Sequence, residues 1–101
     1  MRGITITYDY SGDEGEWQAA TGAFIVAIDN DPEIAGKFVY QVAVADDGKT
    51  RIHWGRWDKA ETLEHVQAQP YFADFAAKVR DFAGGAPNAT GHDILNKSGG
   101  W

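Results

Sequence analysis

Histidine is the residue type in this chain whose chemistry points most directly to a function. An imidazole titrates at about pH 6.5, so near neutral pH it can take a proton from a phenol or stabilise an anionic oxygen intermediate. His65 is the first candidate for a catalytic base, because it precedes a run of aromatic residues in a helical region. The alternative is an exposed helix histidine, since at ~100° per residue His65 lies about 200° from Leu63.

Two further residues are candidates for the same chemistry. Asp9 lies between two tyrosines and is the second candidate catalytic residue. His53 falls on the same side of its predicted strand as Gly55 and Trp57, so it can line a pocket in which Gly55 makes room. The alternative is a structural histidine whose ring nitrogens are satisfied by hydrogen bonds. The histidines form no i, i+4 pair and the chain has no cysteine, so we predict no metal site.

Aromatic side chains make up 13% of the sequence, and they can form either a binding site or a core. We predict that six of them converge on one interior: Tyr8, Trp17, Tyr40, Trp54, Trp57 and Phe72. A cavity walled by such rings, with one or two polar groups, suits a flat aromatic ligand. The predicted substrate-binding residues are Tyr8, Tyr40, His53, Trp57 and Phe72. The alternative is that these rings only fill the core.

Composition excludes several classes of function. The 101 residues provide for one domain, 1–101, with a loose tail at about 97–101. A net charge of −6, with nine scattered basic residues, disfavours binding to nucleic acid and to acidic membranes. The N-terminus has no apolar run typical of a signal peptide, and no segment approaches the ~20 apolar residues that cross a bilayer. We therefore predict a cytoplasmic protein.

Alternation of apolar and polar residues, helical spacing and turn residues predict the order of the elements. Strands are expected over 3–10, 37–45, 50–57 and within 90–96. One helix is expected from a cap at Asp13 to Asn30, and a second region from a cap at Asp58 to Gly84, interrupted at Pro70. Asp47-Gly48 predicts a tight hairpin turn in which both residues have positive φ. The order is ferredoxin-like βαββαβ: a four-stranded antiparallel sheet with two helices on one face, hence α+β.

The second strand is apolar on both of its faces. Four of its side chains point one way and three the other, with only Gln41 as a polar interruption: Phe38, Tyr40, Val42 and Val44, against Val39, Ala43 and Ala45. An antiparallel strand with one wet face alternates apolar and polar residues instead. We therefore predict a homodimer that packs sheet against sheet. The alternative is a loop folded over the sheet, but the predicted loops are short.

One stretch of the sequence is similar to a known family. Residues 55–65, GRWDKAETLEH, and 69–75, QPYFADF, resemble the corresponding segment of the antibiotic-biosynthesis-monooxygenase-like family. The resemblance extends over about residues 3–96 when the element order is included. It implies a dimeric α/β barrel, in which some family members oxidise aromatic polyketides or quinols with molecular oxygen and neither metal nor flavin.

The resemblance and the candidate residues together predict a function. The first hypothesis is a cofactor-independent monooxygenase acting on a small phenol, quinol or polyketide-like substrate, with His65 or Asp9 as the base. The second is a non-catalytic dimer of the same fold that binds or detoxifies a small ligand. The third is a structural dimer without a ligand. The fold alone does not decide among them.

Overall fold

The structure of the protein is a computed structural model, and it describes residues 1–99. The elements follow the order β1 (Arg2–Asp9), α1 (Glu14–Asp29), β2 (Phe38–Val44), β3 (Thr50–Trp57), α2 (Ala60–Gln67), α3 (Pro70–Ala83) and β4 (Asn88–Asp93). The four strands form one antiparallel sheet in the order β2-β3-β1-β4. The predicted α+β class and four-stranded antiparallel sheet are confirmed.

Helix α1 begins and ends where the capping signals place it. The Asp13 carboxylate accepts a hydrogen bond from the Glu16 backbone N–H at 2.8 Å, which satisfies one of the free donors of the first turn. Asn30 forms the C-cap, directly before the turn that contains Pro32. The helix buries a stripe of residues against the sheet: Trp17, Ala20, Thr21, Phe24 and Ile28.

The second helical region is two helices, so the described chain has three helices instead of the two predicted. Pro70 occupies the first turn of α3, where its missing N–H leaves no bond unmade. The predicted cap at Asp58 is also displaced, because the N-cap of α2 is Lys59. The Asp58 carboxylate instead accepts hydrogen bonds from the Thr62 hydroxyl and the Lys59 backbone N–H.

Three smaller features complete the comparison with the prediction: the β2–β3 turn, the start of β4 and the C-terminal tail. In the β2–β3 turn only Gly48 has a positive φ, of 75°, while the Asp47 carboxylate accepts bonds from the backbone N–H groups of Lys49 and Thr50. Strand β4 begins two residues earlier than predicted, at Asn88. Residues 97–99 of the predicted loose tail are in neither helix nor strand. Residues 100 and 101 of that tail lie outside the described residues.

Strand pairing gives the sheet two different faces. The face toward the helices carries Ile4, Ile6 and Tyr8 of β1 and, opposite them, Gly55, His53 and Arg51 of β3. The other face, which we call the open face, carries Val39 and Ala43 of β2 with Ile52 and Trp54 of β3. Strands β2 and β4 are the edges, so the sheet is not closed within one chain. The predicted barrel depends on a second copy and stays a prediction.

Candidate functional site

A cavity of about 240 Å³ lies between the sheet and helices α2 and α3. Its walls are mostly apolar. Besides Tyr40 they include five aromatic residues together with aliphatic residues of β1, α2 and α3, and these five are Phe24, Phe38, Trp57, Phe72 and Phe75. The polar side chains of the lining are Tyr40, Gln67 and Arg80. Three predicted substrate-binding residues, Tyr40, Trp57 and Phe72, therefore line one cavity.

Gly55 explains how the Tyr40 ring reaches this wall. A Cβ atom at Gly55 would lie 2.8 Å from Cδ2 of Tyr40, closer than non-bonded carbon atoms approach. The two residues are directly paired across β2 and β3, so the ring lies over the glycine backbone. A side chain at position 55 would push Tyr40 out of the wall.

The strand register places two tyrosines on either side of His53. His53 is directly opposite Ile6 on β1 and Val42 on β2. Tyr8 comes two residues after Ile6, and Tyr40 comes two residues before Val42, so both are diagonal neighbours of His53 on the same face. This arrangement brings both hydroxyl groups within reach of the imidazole.

Hydrogen bonds join these residues to Trp17 in a buried row, which we call the His53 chain. The Trp17 indole N–H donates to the Tyr8 hydroxyl oxygen at 2.8 Å. That hydroxyl lies 2.8 Å from Nε2 of His53, and the Tyr40 hydroxyl lies 2.9 Å from Nδ1. His53 is 0% exposed, so its two ring nitrogens depend on these tyrosines for their hydrogen bonds.

The indole sets the direction of the His53 chain. An indole N–H can only donate, so the Tyr8 oxygen accepts from Trp17 and the Tyr8 O–H is left to donate. Within residues 1–99 its one acceptor is Nε2 of His53. Neutral His53 then carries its proton on Nδ1 and donates to the Tyr40 oxygen. Each member after Trp17 accepts one hydrogen bond from the member before it, and the Tyr40 O–H is the last donor.

Burial keeps the members of the chain neutral. Desolvation lowers the pKa of His53 to about 4, so its imidazole is uncharged at neutral pH. Desolvation also raises the pKa of Tyr8 and Tyr40 above the ordinary phenol value. Both hydroxyls therefore remain protonated near neutral pH, and the chain acts as a row of donors and not as a base.

His65 lies outside this cavity, in a group that we call the His65 cluster. Nε2 of His65 is 2.8 Å from Oδ2 of Asp31, and the Tyr71 hydroxyl donates to the same oxygen at 2.8 Å. Partial burial raises the pKa of Asp31, but the hydrogen bonds from His65, Tyr71 and the Glu33 backbone outweigh it and hold that pKa below the ordinary value. The cluster ties the end of α1 to α2 and α3.

The remaining predicted residues also lie apart from the cavity. Asp9 is exposed, and its carboxylate accepts a bond from the Thr50 hydroxyl at 3.3 Å. It alternates with Tyr8, so it is on the open-face side of β1. Trp54 is likewise on the open face and 39% exposed, so the prediction that it joins the other rings in one interior is wrong.

An ion pair that the sequence pattern did not predict lies beside the His53 chain, with its arginine buried and its glutamate exposed. The Arg51 guanidinium donates to both oxygens of Glu14 at 2.8 Å, and its side chain is 1% exposed. The guanidinium also lies over the Trp17 ring, 4.6 Å from its centroid. Alternation with His53 places Arg51 on the inner face, which is the signal that would have found it. The pair fixes the indole from which the chain begins.

The described residues lack two features, a metal-binding cluster and a membrane-spanning helix. Residues 1–99 hold no group of three or more histidine and acidic side chains that could bind a metal ion. Among the same residues, no helix is long and apolar enough to cross a membrane.

Comparison with known proteins identifies the fold. Rv0793 from Mycobacterium tuberculosis superposes with a TM-score of 0.78 at 14% identity, over 96% of this chain and 97% of that one. A variant of SnoaB from Streptomyces nogalater, described as a cofactor-independent oxygenase, superposes with a TM-score of 0.77 at 13% identity, over 98% and 97%. A structure described as an antibiotic biosynthesis monooxygenase gives 0.74 at 9% identity, over 95% and 100%.

This chain has the antibiotic-biosynthesis-monooxygenase fold. The resemblance found in residues 55–75 is thus confirmed at the level of the fold. No protein-family model matches the sequence, and no curated protein matches it significantly. At these identities the antibiotic-biosynthesis-monooxygenase fold sets the arrangement of elements, and the activity has to be argued from the site.

Proposed function

We propose that this protein is a cofactor-independent monooxygenase that oxidises a small phenol, quinol or polyketide-like substrate in the cavity between the sheet and helices α2 and α3. The observation that carries the proposal is an aromatic-walled cavity of about 240 Å³ whose wall includes Tyr40, the last member of a buried polar chain. The size and walls suit a flat aromatic molecule. The fold shared with SnoaB, described as a cofactor-independent oxygenase, supports the same reaction class.

The proposed reaction requires no electrons beyond those of the substrate. The phenol loses its proton, and the resulting anion transfers one electron to O₂ to give a substrate radical and superoxide. The two combine to form a C–O bond, and the protonated hydroperoxide then loses water to leave a carbonyl group. Overall a CH₂ group of the keto tautomer and O₂ become C=O and H₂O, so one oxygen atom enters each product.

The proposal gives the predicted residues different roles. Trp57 and Phe72 orient the substrate ring, and Tyr40 contacts its oxygen. Tyr8 and His53 act behind Tyr40 through hydrogen bonds. The roles of His65 and Asp9 as bases stay predictions, and their placement outside the cavity favours a reaction in which the substrate proton passes to solvent.

Assembly and location complete the proposal. We propose that residues 1–101 form one domain that pairs as a homodimer through the open face. The apolar side chains of Val39, Ala43 and Ile52 on that face support this assembly. A cytoplasmic location stays a prediction from the sequence. Sedimentation velocity tests the dimer, and a monomer at micromolar concentration would contradict it.

Oxygen uptake with anthrone tests the proposed reaction, because anthrone carries the required CH₂ group and its enol tautomer is a flat phenol. We expect uptake with ¹⁸O₂ to place one labelled atom in anthraquinone and one in water. Tyr40→Phe is expected to slow uptake, and Tyr71→Phe is the matched control, since its hydroxyl bonds Asp31 away from the cavity. Binding without uptake above the protein-free rate would favour the non-catalytic ligand-binding dimer.

A further inference from the structure

We propose that the cavity selects the anionic form of its ligand, a phenolate or enolate, with the ligand oxygen on the Tyr40 hydroxyl and Arg80 as the balancing charge. This inference rests on the proposed use of the cavity for a small phenol. In this inference the His53 chain as a whole orients the Tyr40 O–H, so that this hydroxyl donates a hydrogen bond to the ligand.

The direction of the His53 chain is the first argument. Because Trp17 can only donate, the donor order runs from Trp17 through Tyr8 and His53 to Tyr40. Within residues 1–99 the Tyr40 oxygen has no hydrogen-bond partner besides His53. Its own O–H is therefore available, and Tyr40 lines the cavity. A ligand there meets a donor and needs an acceptor oxygen.

Cooperativity strengthens this last donor. Consecutive hydrogen bonds polarise one another, and a low local dielectric increases the effect. Each donor behind Tyr40 makes its hydroxyl proton more positive, and an anionic oxygen gains more from that proton than a neutral one does. Tyr40 itself stays protonated because burial raises its pKa. His53 is accordingly a positioning residue, which acts on the ligand only through Tyr40.

Charge in the cavity wall is the second and independent argument. Among the described residues that line the cavity, Arg80 carries the one positive charge and there is no aspartate or glutamate. The whole chain has a net charge of −6, so the charge of the cavity lining is opposite in sign to the net charge of the molecule. Within residues 1–99 Arg80 makes no ion pair, so its guanidinium is available to a ligand. An acidic ligand group suits this wall, and a cationic one does not.

The absorbance of bound 4-nitrophenol tests the inference, because its phenolate and phenol forms absorb at different wavelengths. A pH titration with saturating protein gives the pKa of the bound probe. We expect the phenolate to bind about tenfold more tightly than the phenol, which lowers the pKa of the bound probe by about one unit. A pKa equal to or higher than that of free 4-nitrophenol, or no saturable binding, would overturn the inference.

Three variants locate the effect in the His53 chain. Tyr40→Phe removes the donor and is expected to lower the tenfold preference to the part that Arg80 supplies. Trp17→Phe does not touch the cavity lining, but it removes the group that sets the direction of the chain, so the preference should fall severalfold. Tyr71→Phe is expected to leave the preference unchanged. An equal preference in the wild-type protein and in Tyr40→Phe would overturn the role of Tyr40.

The charge of Arg80 is tested by a matched pair of variants at two exposed positions of α3. Arg80→Gln should weaken phenolate binding severalfold, while Lys78→Gln removes the same charge outside the cavity and should not. Binding of 4-nitrotoluene, which has no hydroxyl group, is expected to be equal in both. Phenolate selectivity without oxygen uptake on anthrone would refute the monooxygenase and leave the anion selectivity standing, so the two failures are distinguishable.

Discussion

The molecule contains two histidines that each touch a tyrosine network, and the two are built for different tasks. His53 is fully buried and bonds two tyrosine hydroxyls, with no charged partner on either ring nitrogen. His65 is partly exposed, and its partner is the Asp31 carboxylate, which Tyr71 also contacts. The first network ends at a cavity, and the second joins three helices at the surface.

This difference shows how surroundings decide the use of one side-chain type. A carboxylate beside an imidazole forms an ion pair when the imidazole is protonated, and such a pair at a partly exposed site contributes little to stability. An imidazole between two buried hydroxyls stays neutral and orders their protons. His65, which sequence position favours as a catalyst, therefore has the surroundings of a structural residue, while we propose that His53, which resembles core packing, serves the cavity.

The largest expected difference between the two histidines is in stability. His53→Ala leaves a cavity and two buried hydroxyls without their partner, so we expect the free energy of unfolding to fall by about 3–5 kcal/mol. His65→Ala removes a partly exposed contact and is expected to cost about 1 kcal/mol or less. Urea denaturation followed by tryptophan fluorescence measures both values. Equal losses in the two variants would contradict the comparison.

The pH dependence of stability should also distinguish the two networks. The pKa of His53 is about 4 in the folded protein and about 6.5 in the unfolded chain, so only the unfolded chain takes up this proton between those values. Neutral His53 therefore makes its full contribution to the free energy of unfolding above about pH 6.5. That free energy falls by about 3 kcal/mol as the pH approaches 4.

Urea denaturation at pH 7, 6 and 5 measures this slope. His53→Gln keeps a polar side chain without the titration, and its stability should change less over the same range. The two slopes would coincide if the burial of neutral His53 had no part in the pH dependence. Carboxylates with lowered pKa values, such as Asp31, lose their contribution only below about pH 4, outside this window.

Two tyrosine variants sharpen the comparison in activity. Tyr40→Phe should lower the rate of anthrone oxidation at least tenfold, about 1.4 kcal/mol of transition-state stabilisation, because the donor at the cavity wall is lost. Tyr71→Phe removes a hydroxyl from the His65 cluster and should change the rate less than twofold. Oxygen-electrode assays below the unfolding temperature of each variant measure the rates. Comparable losses in both variants would place the chemistry elsewhere.

The smallest effects are expected at the residues that the sequence favoured as bases. His65→Gln and Asp9→Asn should each leave the oxidation rate within about twofold of wild type, because neither side chain lines the cavity. Rates measured across pH 5–9 check this expectation. A loss of tenfold or more in either variant, with unfolding unchanged, would restore that residue as the base.

Alternation in the sequence was enough to place His53, Gly55 and Trp57 on one face, and the capping pattern at Asp13 was enough to start α1. Alternation alone could not predict which residues of the adjacent strands lie beside His53. Those depend on the register between strands, which aligns Ile6 and Val42 with His53 and so brings Tyr8 and Tyr40 to its two nitrogens. A sequence read strand by strand holds no information on that register.

Helix phase explains why His65 was harder to place. The break at Pro70 separates α2 from α3, so the apolar stripe of one helix does not continue into the other. The stripe of Phe72 and Phe75 would have turned His65 inward, and that of Leu63 turns it away. The structure follows the second phase and pairs His65 with Asp31, a residue 34 positions earlier that only the folded chain brings near.

The tautomer of His53 is the most direct test of the account, because the direction of the whole chain depends on it. Two-bond ¹H–¹⁵N correlation spectra of protein labelled at histidine show which ring nitrogen carries the proton. We predict a neutral imidazole protonated at Nδ1 between pH 6 and 8, and a mixture of both tautomers in Trp17→Phe. Protonation at Nε2 in the wild-type protein would mean that Tyr40 donates to His53 and not to a ligand, and would contradict the account.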